Sequence, residues 1–316
     1  MRVSFHPDYR VDLGPTHPFP MGKYPLLHAL LLERGLIRPQ DVMEPVEAPR
    51  EMLERVHDAA YLAKLETGSL SAAEVRQLGL RWSQRLWRRS RLAAYGTYLA
   101  AGAALEDGIA ANLAGGTHHA YPDHGEGFCV LNDVAIAIEA LRAQGIAQRF
   151  VIVDLDVHQG NGTAAIYGRD PQVYTLSLHG ARNYPARKEA STHDVALEDG
   201  AGDEAYLEAL GGALRQALGE ARADLVFYLA GVDVVAGDRY GRLALSVDGL
   251  RARERLVLGA VRAAGCPLAI VLAGGYAGTP LATAMLHAEV FEAAAEQASG
   301  GRATLWAATV SGSEPG

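Results

Sequence analysis

Three polar side chains at alternate positions close one apolar run of this 316-residue sequence. The run "FVIVDLD" at 150–156 continues into "VHQGNG", which spaces Asp154, Asp156 and His158 two residues apart. Alternate residues of an extended strand share a face, so these three side chains are predicted to point the same way. Carboxylates packed together repel one another and lose hydration, and a divalent cation removes that conflict. The spacing therefore favours a metal site, whereas a single aspartate after a strand is more often a turn former.

Other side chains suited to acid-base chemistry also follow apolar runs. "GIAANLAGGTHH" ends in the adjacent imidazoles of His118 and His119, "YLAGVDVVAGD" supplies Asp233, and "VLAGGYAG" supplies Tyr276. In an open parallel sheet, the loops after the strands converge on one edge and build the site there. These residues are therefore predicted to meet, although a lone loop tyrosine would indicate only a hydrogen-bonded hydroxyl.

Hydrophobic patterning predicts the elements that must position these residues. Short β-branched apolar runs predict strands at 150–156, 173–178, 224–231 and 267–274, and "GIAANLA" is a further candidate. Helical periodicity predicts helices at 130–144, 203–220, 248–264 and 280–298. Alternating strands and helices are typical of a parallel sheet covered on both faces.

The fold prediction is a single α/β domain with a mostly parallel central sheet and helices on both faces. It extends over residues 1–310, and the tail "SGSEPG" at 311–316 is expected to fray. Residues 40–110 are predicted to supply helical cover and loops without strands. No linker or internal repeat divides the sequence.

Composition argues against several classes of function. A net charge of −8 does not favour nucleic-acid binding, and the arginines of "RLWRRSR" at 85–91 are expected to form a solvated helix face. Cys129 and Cys266 lack a C-x-x-C spacing and are predicted to be buried thiols in a reducing compartment. The sequence shows no signal-peptide h-region and no run of eighteen apolar residues. We therefore expect a soluble, cytoplasmic protein with neither membrane nor nucleic acid as a partner.

One glycine-rich segment offers an alternative. "HQGNGTA" follows a strand and precedes a helix, which is the position of a phosphate-binding loop. Three acidic or imidazole groups directly before it would oppose a phosphate, so nucleotide binding is the weaker interpretation.

Taken together, the motifs resemble the zinc-dependent histone deacetylase-like amidohydrolases, which have the arginase/deacetylase fold. "HPFPMGKY", "GGTHHAYPDHGEGFCVLND", "DLDVHQGNG", "AGVDVVAGDRYG" and "AGGYA" occur in the family's order and span nearly the whole chain. Two of them, "DLDVHQGNG" and "HPFPMGKY", are most similar to the class IV branch.

The resemblance implies two bound cations. Asp156, His158 and Asp233 correspond to the ligands of a catalytic Zn²⁺, and two carboxylates with one imidazole would also suit Fe²⁺. A structural monovalent cation, K⁺, is expected near Asp154, Asp156, His158, Ser177 and Leu178.

The resemblance also implies catalytic roles. His119 corresponds to the general base that later acts as the acid, and His118 to its electrostatic partner, oriented by Asp154. Tyr276 corresponds to the phenol that donates to the carbonyl oxygen as this becomes an oxyanion. Asn161 stands where some branches have an aspartate, so it can orient His119 but adds no charge, which predicts a weaker base.

An acyl-lysine tunnel is a further expectation from the resemblance. Many members have two aromatic walls, and here Ala181, or alternatively Arg182, corresponds to the position opposite Phe128; Ala181 at that position predicts room for longer acyl chains. The residues expected along the tunnel are Gly127, Phe128, Ala181, Tyr240 and Gly275.

The predicted activity is metal-dependent hydrolysis of an N-acylated amine, with the N6-acyl-lysine of a protein or peptide as the favoured substrate. A deacetylase of acetylpolyamines or another small acetylated amine is the alternative within the fold. A non-catalytic acyl-lysine-binding protein is the alternative of another class, although a reader needs no general base. An arginase-like reaction would need a second set of metal ligands.

Overall fold

The strands form one eight-stranded sheet in the computed structural model, which describes the backbone of residues 1–310 and the side chains of residues 1–297. In chain order they are β1 (Arg2–Ser4), β2 (Val42–Met43), β3 (Ile109–Asn112), β4 (Phe150–Asp154), β5 (Val173–Gly180), β6 (His193–Leu197), β7 (Leu225–Leu229) and β8 (Leu268–Val271). The four strands predicted from apolar runs are confirmed as β4, β5, β7 and β8, and the candidate in "GIAANLA" is β3.

Three strands lie outside the sequence prediction. β1 and β2 are too short to show a periodic pattern, and β2 corrects the expectation that 40–110 contains no strand. β6 lies at one edge of the sheet and alternates half-buried with exposed residues. It therefore lacks the continuous apolar run that marks a strand buried on both faces.

Ten α-helices occur in the described part of the chain. They are α1 (Lys23–Glu33), α2 (Arg50–Leu53), α3 (Ala59–Thr67), α4 (Ala72–Leu78), α5 (Gln84–Asp107), α6 (Asp133–Ala143), α7 (Asn161–Tyr167), α8 (Asp203–Ala221), α9 (Val247–Ala263) and α10 (Pro280–Val310). Side-chain oxygens of Ser71, Ser83, Asn132 and Ser246 cap the starts of α4, α5, α6 and α9. The predicted helices are confirmed as α6, α8, α9 and α10, and the expected frayed tail at 311–316 lies outside the described residues.

The sheet separates two hydrophobic layers. Along β4, Val151 and Val153 face the layer that contains α1, α8, α9 and α10, whereas Phe150 and Ile152 face the layer of α5 and α6. This alternation follows from the period of two along a strand. Because both faces are covered, β4 is apolar at every position before Asp154 and fully buried.

Two side-chain expectations need correction. In "RLWRRSR", Arg85 and Arg88 are exposed, but Arg89 is buried, and its Nη2 donates to the hydroxyl of Tyr24 at 2.8 Å. One turn of α5 faces the core at that position, so the segment is not uniformly solvated. Cys129 is buried as expected, whereas Cys266 is only partly buried.

Strand order explains how distant segments come together. The sheet runs β2-β1-β3-β8-β7-β4-β5-β6, and every pairing is parallel. The central neighbours β3, β8, β7 and β4 therefore end at the same edge, and the four candidate functional segments follow these four strands. No described helix is both long enough and apolar enough to cross a membrane.

Candidate active site

Asp156, His158 and Asp233 form a cluster beyond the ends of β4 and β7. Each offers one ligand atom, and these atoms all lie within 4.8 Å of one another. The Nδ1 atom of His158 is 2.9 Å from Asp156 Oδ1 and 3.4 Å from Asp233 Oδ2. The structure thus brings the three predicted metal ligands together.

The electrostatics of this cluster suit a divalent cation. Asp233 Oδ2 is buried without a hydrogen bond, and burial together with the Asp156 carboxylate raises the pKa of Asp233 to about 7. Burial lowers the pKa of His158, but the two aspartates outweigh burial and raise it to about 10. A bound cation would replace the proton on His158 and coordinate the unpartnered oxygen. Two carboxylates and one imidazole are donors that Zn²⁺ or Fe²⁺ accepts.

His118 and His119 lie side by side, with ring centroids 4.1 Å apart, but they have different partners. His118 Nδ1 is 2.6 Å from Asp154 Oδ2, and His119 Nδ1 is 2.6 Å from Asn161 Oδ1. Burial lowers the pKa of His118, but nearby carboxylates, Asp154 foremost, raise it to about 9. Burial and the charge of His118 hold the pKa of His119 well below its ordinary value. At neutral pH His119 is therefore the neutral imidazole, able to accept a proton.

The start of α6 holds the loop that carries these histidines. The Asp133 carboxylate accepts hydrogen bonds from the backbone N–H groups of Gly116 and Thr117, at 3.1 and 2.7 Å. Asn132, the cap of α6, donates to the carbonyl of Ala120 at 3.3 Å. Both residues stand in the motif "GFCVLND", but the sequence prediction assigns them no role. Only the fold shows that they fix the two ends of the histidine loop.

Glu126 lies behind Asn161, and the sequence prediction assigns it no role either. Asn161 Nδ2 donates to Glu126 Oε1 at 2.5 Å, and the hydroxyl of Tyr184 donates to the same oxygen at 2.8 Å. A carboxylate can only accept, so it orients the Asn161 amide with its oxygen toward His119. Asn161 has no negative charge, but the Glu126 carboxylate supplies one at a distance of one further hydrogen bond from His119.

The loop after β8 carries Tyr276 and is hydrogen-bonded to the cluster of predicted metal ligands. The backbone N–H of Gly274 donates to Asp156 Oδ2 at 2.6 Å, and that of Tyr276 donates to Asp238 Oδ2 at 2.6 Å. Burial and the charges of Asp156 and Asp233 keep the pKa of Tyr276 well above its ordinary value. The phenol therefore stays protonated and can donate a hydrogen bond to substrate.

Lys23, from the motif "HPFPMGKY", supports the same loop from the other side. Its ammonium group is buried and donates to the carbonyl of Ala273 at 2.9 Å, next to the ring of His287 at 3.3 Å. Burial lowers the pKa of Lys23 to about 8. The motif "HPFPMGKY" therefore helps to fix the backbone immediately before Tyr276.

An aromatic cavity of about 290 Å³ leads to the cluster. Its lining is Arg76, Gln77, Leu78, Gly79, His119, Gly127, Phe128, His158, Tyr184, Tyr240 and Tyr276. Three of the predicted tunnel residues, Gly127, Phe128 and Tyr240, are in this wall. Gly275 does not line this wall, although the neighbouring Gly274 lines a smaller cavity that lies deeper in the protein.

The structure places Tyr184, rather than Ala181, in the tunnel wall. The N–H of Ala181 donates to the carbonyl of Leu197 at 2.7 Å, which continues the pairing of β5 with β6 by one residue. The chain therefore turns toward the tunnel only after Ala181. The ring of Tyr184 lies perpendicular to that of His119, with centroids 4.9 Å apart. A second aromatic wall is thus present, and the space expected for longer acyl chains is occupied.

A second, inner cavity continues past the histidines. It measures about 30 Å³, and its lining includes Tyr24, Arg89, His118, Asp156 and Tyr276. A cavity of this size has room for about two water molecules.

The residues expected around a monovalent cation lie together. Asp154 of β4 pairs in register with Ser177 of β5, and Leu178 follows Ser177 directly. Both strands are buried at this point. A K⁺ ion held here stays a prediction.

Comparison with known proteins identifies the family. Residues 17–290 match the histone deacetylase domain. The histone deacetylase-like amidohydrolase of Pseudomonas aeruginosa is 34% identical over 270 residues, which cover 79% of this chain and 70% of that protein. An uncharacterized protein of Picosynechococcus sp. is 49% identical over 275 residues, or 87% of this chain and 92% of that protein.

Solved structures agree at the level of the fold. The crystal structure of the HDA15 HD domain is similar over 92% of this chain and 87% of that chain, with a TM-score of 0.73 and 24% sequence identity. The domain match over most of the chain and the relatives above 30% identity lead to one conclusion. This chain belongs to the histone deacetylase family of hydrolases.

Proposed function

We propose that the protein hydrolyses the N6-acyl-lysine side chain of a polypeptide, using a divalent metal ion at Asp156, His158 and Asp233. One observation carries the proposal: the end of a single aromatic tunnel brings together a three-ligand cluster, a neutral imidazole and a protonated phenol. The narrow tunnel suits the straight methylene chain of lysine, which can pass between aromatic rings with its amide at the far end.

The side chains of this protein supply the proton transfers. His119 takes a proton from the attacking water and later gives it to the leaving nitrogen, which releases a carboxylate and a free amine. His118 stays charged and stabilises the developing negative charge, and the Tyr276 hydroxyl donates to the carbonyl oxygen. A bound divalent ion would polarise the same carbonyl and increase the acidity of the water.

The same geometry also bears on the alternative functions. An arginase-like reaction needs two adjacent ions, but the described residues contain one cluster of metal-ligating side chains. A non-catalytic reader would need the tunnel but not an oriented imidazole beside a phenol. A small acetylated amine would also fit the tunnel, so acetylpolyamines stay the second candidate substrate.

The test is a hydrolysis panel on protein stripped of metal and reconstituted with Zn²⁺ or Fe²⁺. Acyl-lysine peptides are expected to be hydrolysed faster than acetylpolyamines, and Tyr276→Phe with the same metal content serves as the inactive control. Faster turnover of an acetylpolyamine than of every peptide would overturn the lysine assignment. Saturable peptide binding without any hydrolysis would instead identify a reader.

A further inference from the structure

Two larger cavities adjoin the wall of the tunnel. One, of about 560 Å³, shares Tyr276 with the tunnel wall and is lined by residues 10–22, 237, 239 and 276–280. The other, of about 670 Å³, shares Arg76 and Gly79 with the wall and is lined by residues 12–18, 75–76 and 79–83. The segment 12–18 lines both cavities, and the two cavities are together called the groove below. This groove offers space beyond the length of one acylated side chain.

The charge around this groove is the reverse of the charge of the whole chain. The sequence has a net charge of −8, yet the exposed arginines Arg10, Arg76, Arg81 and Arg239 line the groove or the tunnel mouth, and Asp12 is the one carboxylate among the lining residues. These four arginines are called the arginine rim below. The reversal concentrates positive charge where a substrate enters.

The described side chains provide no ion pair for any member of the arginine rim. Some exposed arginines elsewhere have one, as Arg255 does with Glu296 at 2.9 Å. Within the groove, Asp12 accepts a hydrogen bond from the N–H of Gly14 instead of pairing with a guanidinium. The guanidinium of Arg239 lies 5.7 Å from the ring centroid of Tyr240, which holds it at the tunnel mouth. The fork-like donors of the rim are therefore free to bind carboxylates of another molecule.

We infer that the arginine rim binds acidic residues that flank the acyl-lysine of a polypeptide substrate. This inference rests on the proposed function and specifies its substrate class. Because rim arginines lie in cavities on two sides of the tunnel, they match carboxylates on both sides of the modified lysine. A polyamine is cationic along its length and would be repelled by the same field. A basic segment, as in a lysine-rich tail, would be repelled as well.

The experiment compares three acyl-lysine peptides of equal length whose flanking residues are acidic, neutral or basic. The acidic peptide is expected to have the highest kcat/KM, at least about tenfold above the basic one, mainly through KM. The advantage should shrink as ionic strength rises, because salt screens exposed charges. Arg76→Gln/Arg239→Gln should bring the ratio between the acidic and neutral peptides toward one.

The matched control is Arg169→Gln/Arg222→Gln, which removes the same charge. Both control arginines are exposed and lie in the short connections that lead into β5 and β7, so they are at the opposite edge of the sheet. This variant should keep the preference for the acidic peptide. Equal kcat/KM for the three peptides, or a preference for the basic one, overturns the inference while leaving the proposed function intact.

Absence of hydrolysis for all three peptides would contradict the proposed function instead. The inference is then decided by fluorescence anisotropy with the same labelled peptides. Tighter binding of the acidic peptide, lost in the rim variant, supports the arginine rim as a binding surface, and indifferent binding overturns it.

Discussion

At the scale of single residues, the hydrogen-bond chain behind His119 supports the role of base that we propose for it. His119 Nδ1 bonds Asn161, and the Asn161 amide in turn bonds Glu126. An amide can present either its oxygen or its nitrogen to an imidazole, and the two orientations favour opposite tautomers. The Glu126 carboxylate removes this ambiguity because it accepts only from the amide nitrogen. His119 is thereby held with its proton on Nδ1 and with Nε2 free to act as the base.

Replacement of this carboxylate by an amide tests the orientation. Glu126→Gln keeps the size of the side chain but can accept or donate, so the Asn161 amide loses its fixed direction. We expect kcat to fall about tenfold, within the range that supporting residues contribute, with little change in KM. Glu208→Gln is the control, because Glu208 is an exposed carboxylate on α8 outside this hydrogen-bond network. An unchanged kcat in Glu126→Gln would show that Glu126 does not set the orientation of Asn161, whose Nδ2 also donates to the hydroxyl of Tyr121 at 3.2 Å.

The two residues assigned to the chemistry give the largest expected losses. His119→Ala removes the base and Tyr276→Phe removes one hydrogen-bond donor to the oxyanion, without changing any metal ligand. Each should lower kcat by about 10²-fold or more. Metal analysis of the purified variants should give the wild-type content. A variant that keeps its metal and most of its kcat would remove that residue from the mechanism.

At the scale of elements, the close approach of the β8 loop to the metal cluster requires a residue without a side chain. A Cβ atom on Gly274 would lie 2.0 Å from Asp233 Oδ2 and 2.5 Å from Asp156 Oδ2. Both carboxylates belong to the proposed metal ligands, so Gly274→Ala should weaken metal binding strongly and abolish turnover. Gly278→Ala, four residues on, has no atom within 4 Å of the added Cβ and should behave as wild type. Competition with a chromogenic chelator measures the affinity, and equal values for the two variants would contradict the predicted clash.

The loop after β5 sets the expected acyl preference. Tyr184 lies in the wall at the place where the sequence predicts Ala181, and the inner cavity measures only about 30 Å³. Acetyl-lysine should therefore have a higher kcat/KM than octanoyl-lysine, contrary to the expectation from sequence. Tyr184→Ala should narrow this difference, since it removes a ring from the wall. Higher kcat/KM for octanoyl-lysine in the unmodified protein would show that the inner cavity opens on binding.

The elements also show what sequence can and cannot provide. Central strands such as β4 could be predicted because burial on both faces makes them continuous apolar runs, and their ends then located Asp156 and Asp233. β6 could not, because an edge strand is half exposed. The roles of Glu126 and Asp238 could not be predicted from sequence for another reason. Their roles depend on contacts with Asn161 and Tyr276, which lie 35 and 38 positions away in sequence, and no local pattern records such contacts.

At the scale of the whole molecule, buried neutral histidines couple stability to pH. His57 is 2% exposed and lies between the histidine loop and α6, where its Nε2 accepts from the N–H of Asn132 at 3.0 Å and its Nδ1 contacts the carbonyl of Tyr121 at 3.0 Å. Burial lowers its pKa from 6.5 to about 4. In the unfolded chain the imidazole regains its ordinary pKa, so between these values the unfolded state binds more protons than the folded state. The contribution of His57 is therefore fully present above pH 6.5 and is lost as pH falls toward 4.

Replacing the His57 imidazole should weaken the pH dependence of the free energy of unfolding. His57→Gln keeps an acceptor for the N–H of Asn132 but cannot take up a proton in the unfolded chain. The free energy of unfolding of the wild type should fall more steeply than that of the variant between pH 6.5 and 4, by about 3 kcal/mol over the whole window. Urea unfolding at several pH values, with chelator present throughout so that metal loss does not contribute, measures both curves. Their difference cancels the contributions of other buried histidines, such as His179 and His287, which both proteins share. Parallel curves across this range would mean that His57 has the same pKa in the folded and unfolded chains. Its burial would then not make the free energy of unfolding depend on pH.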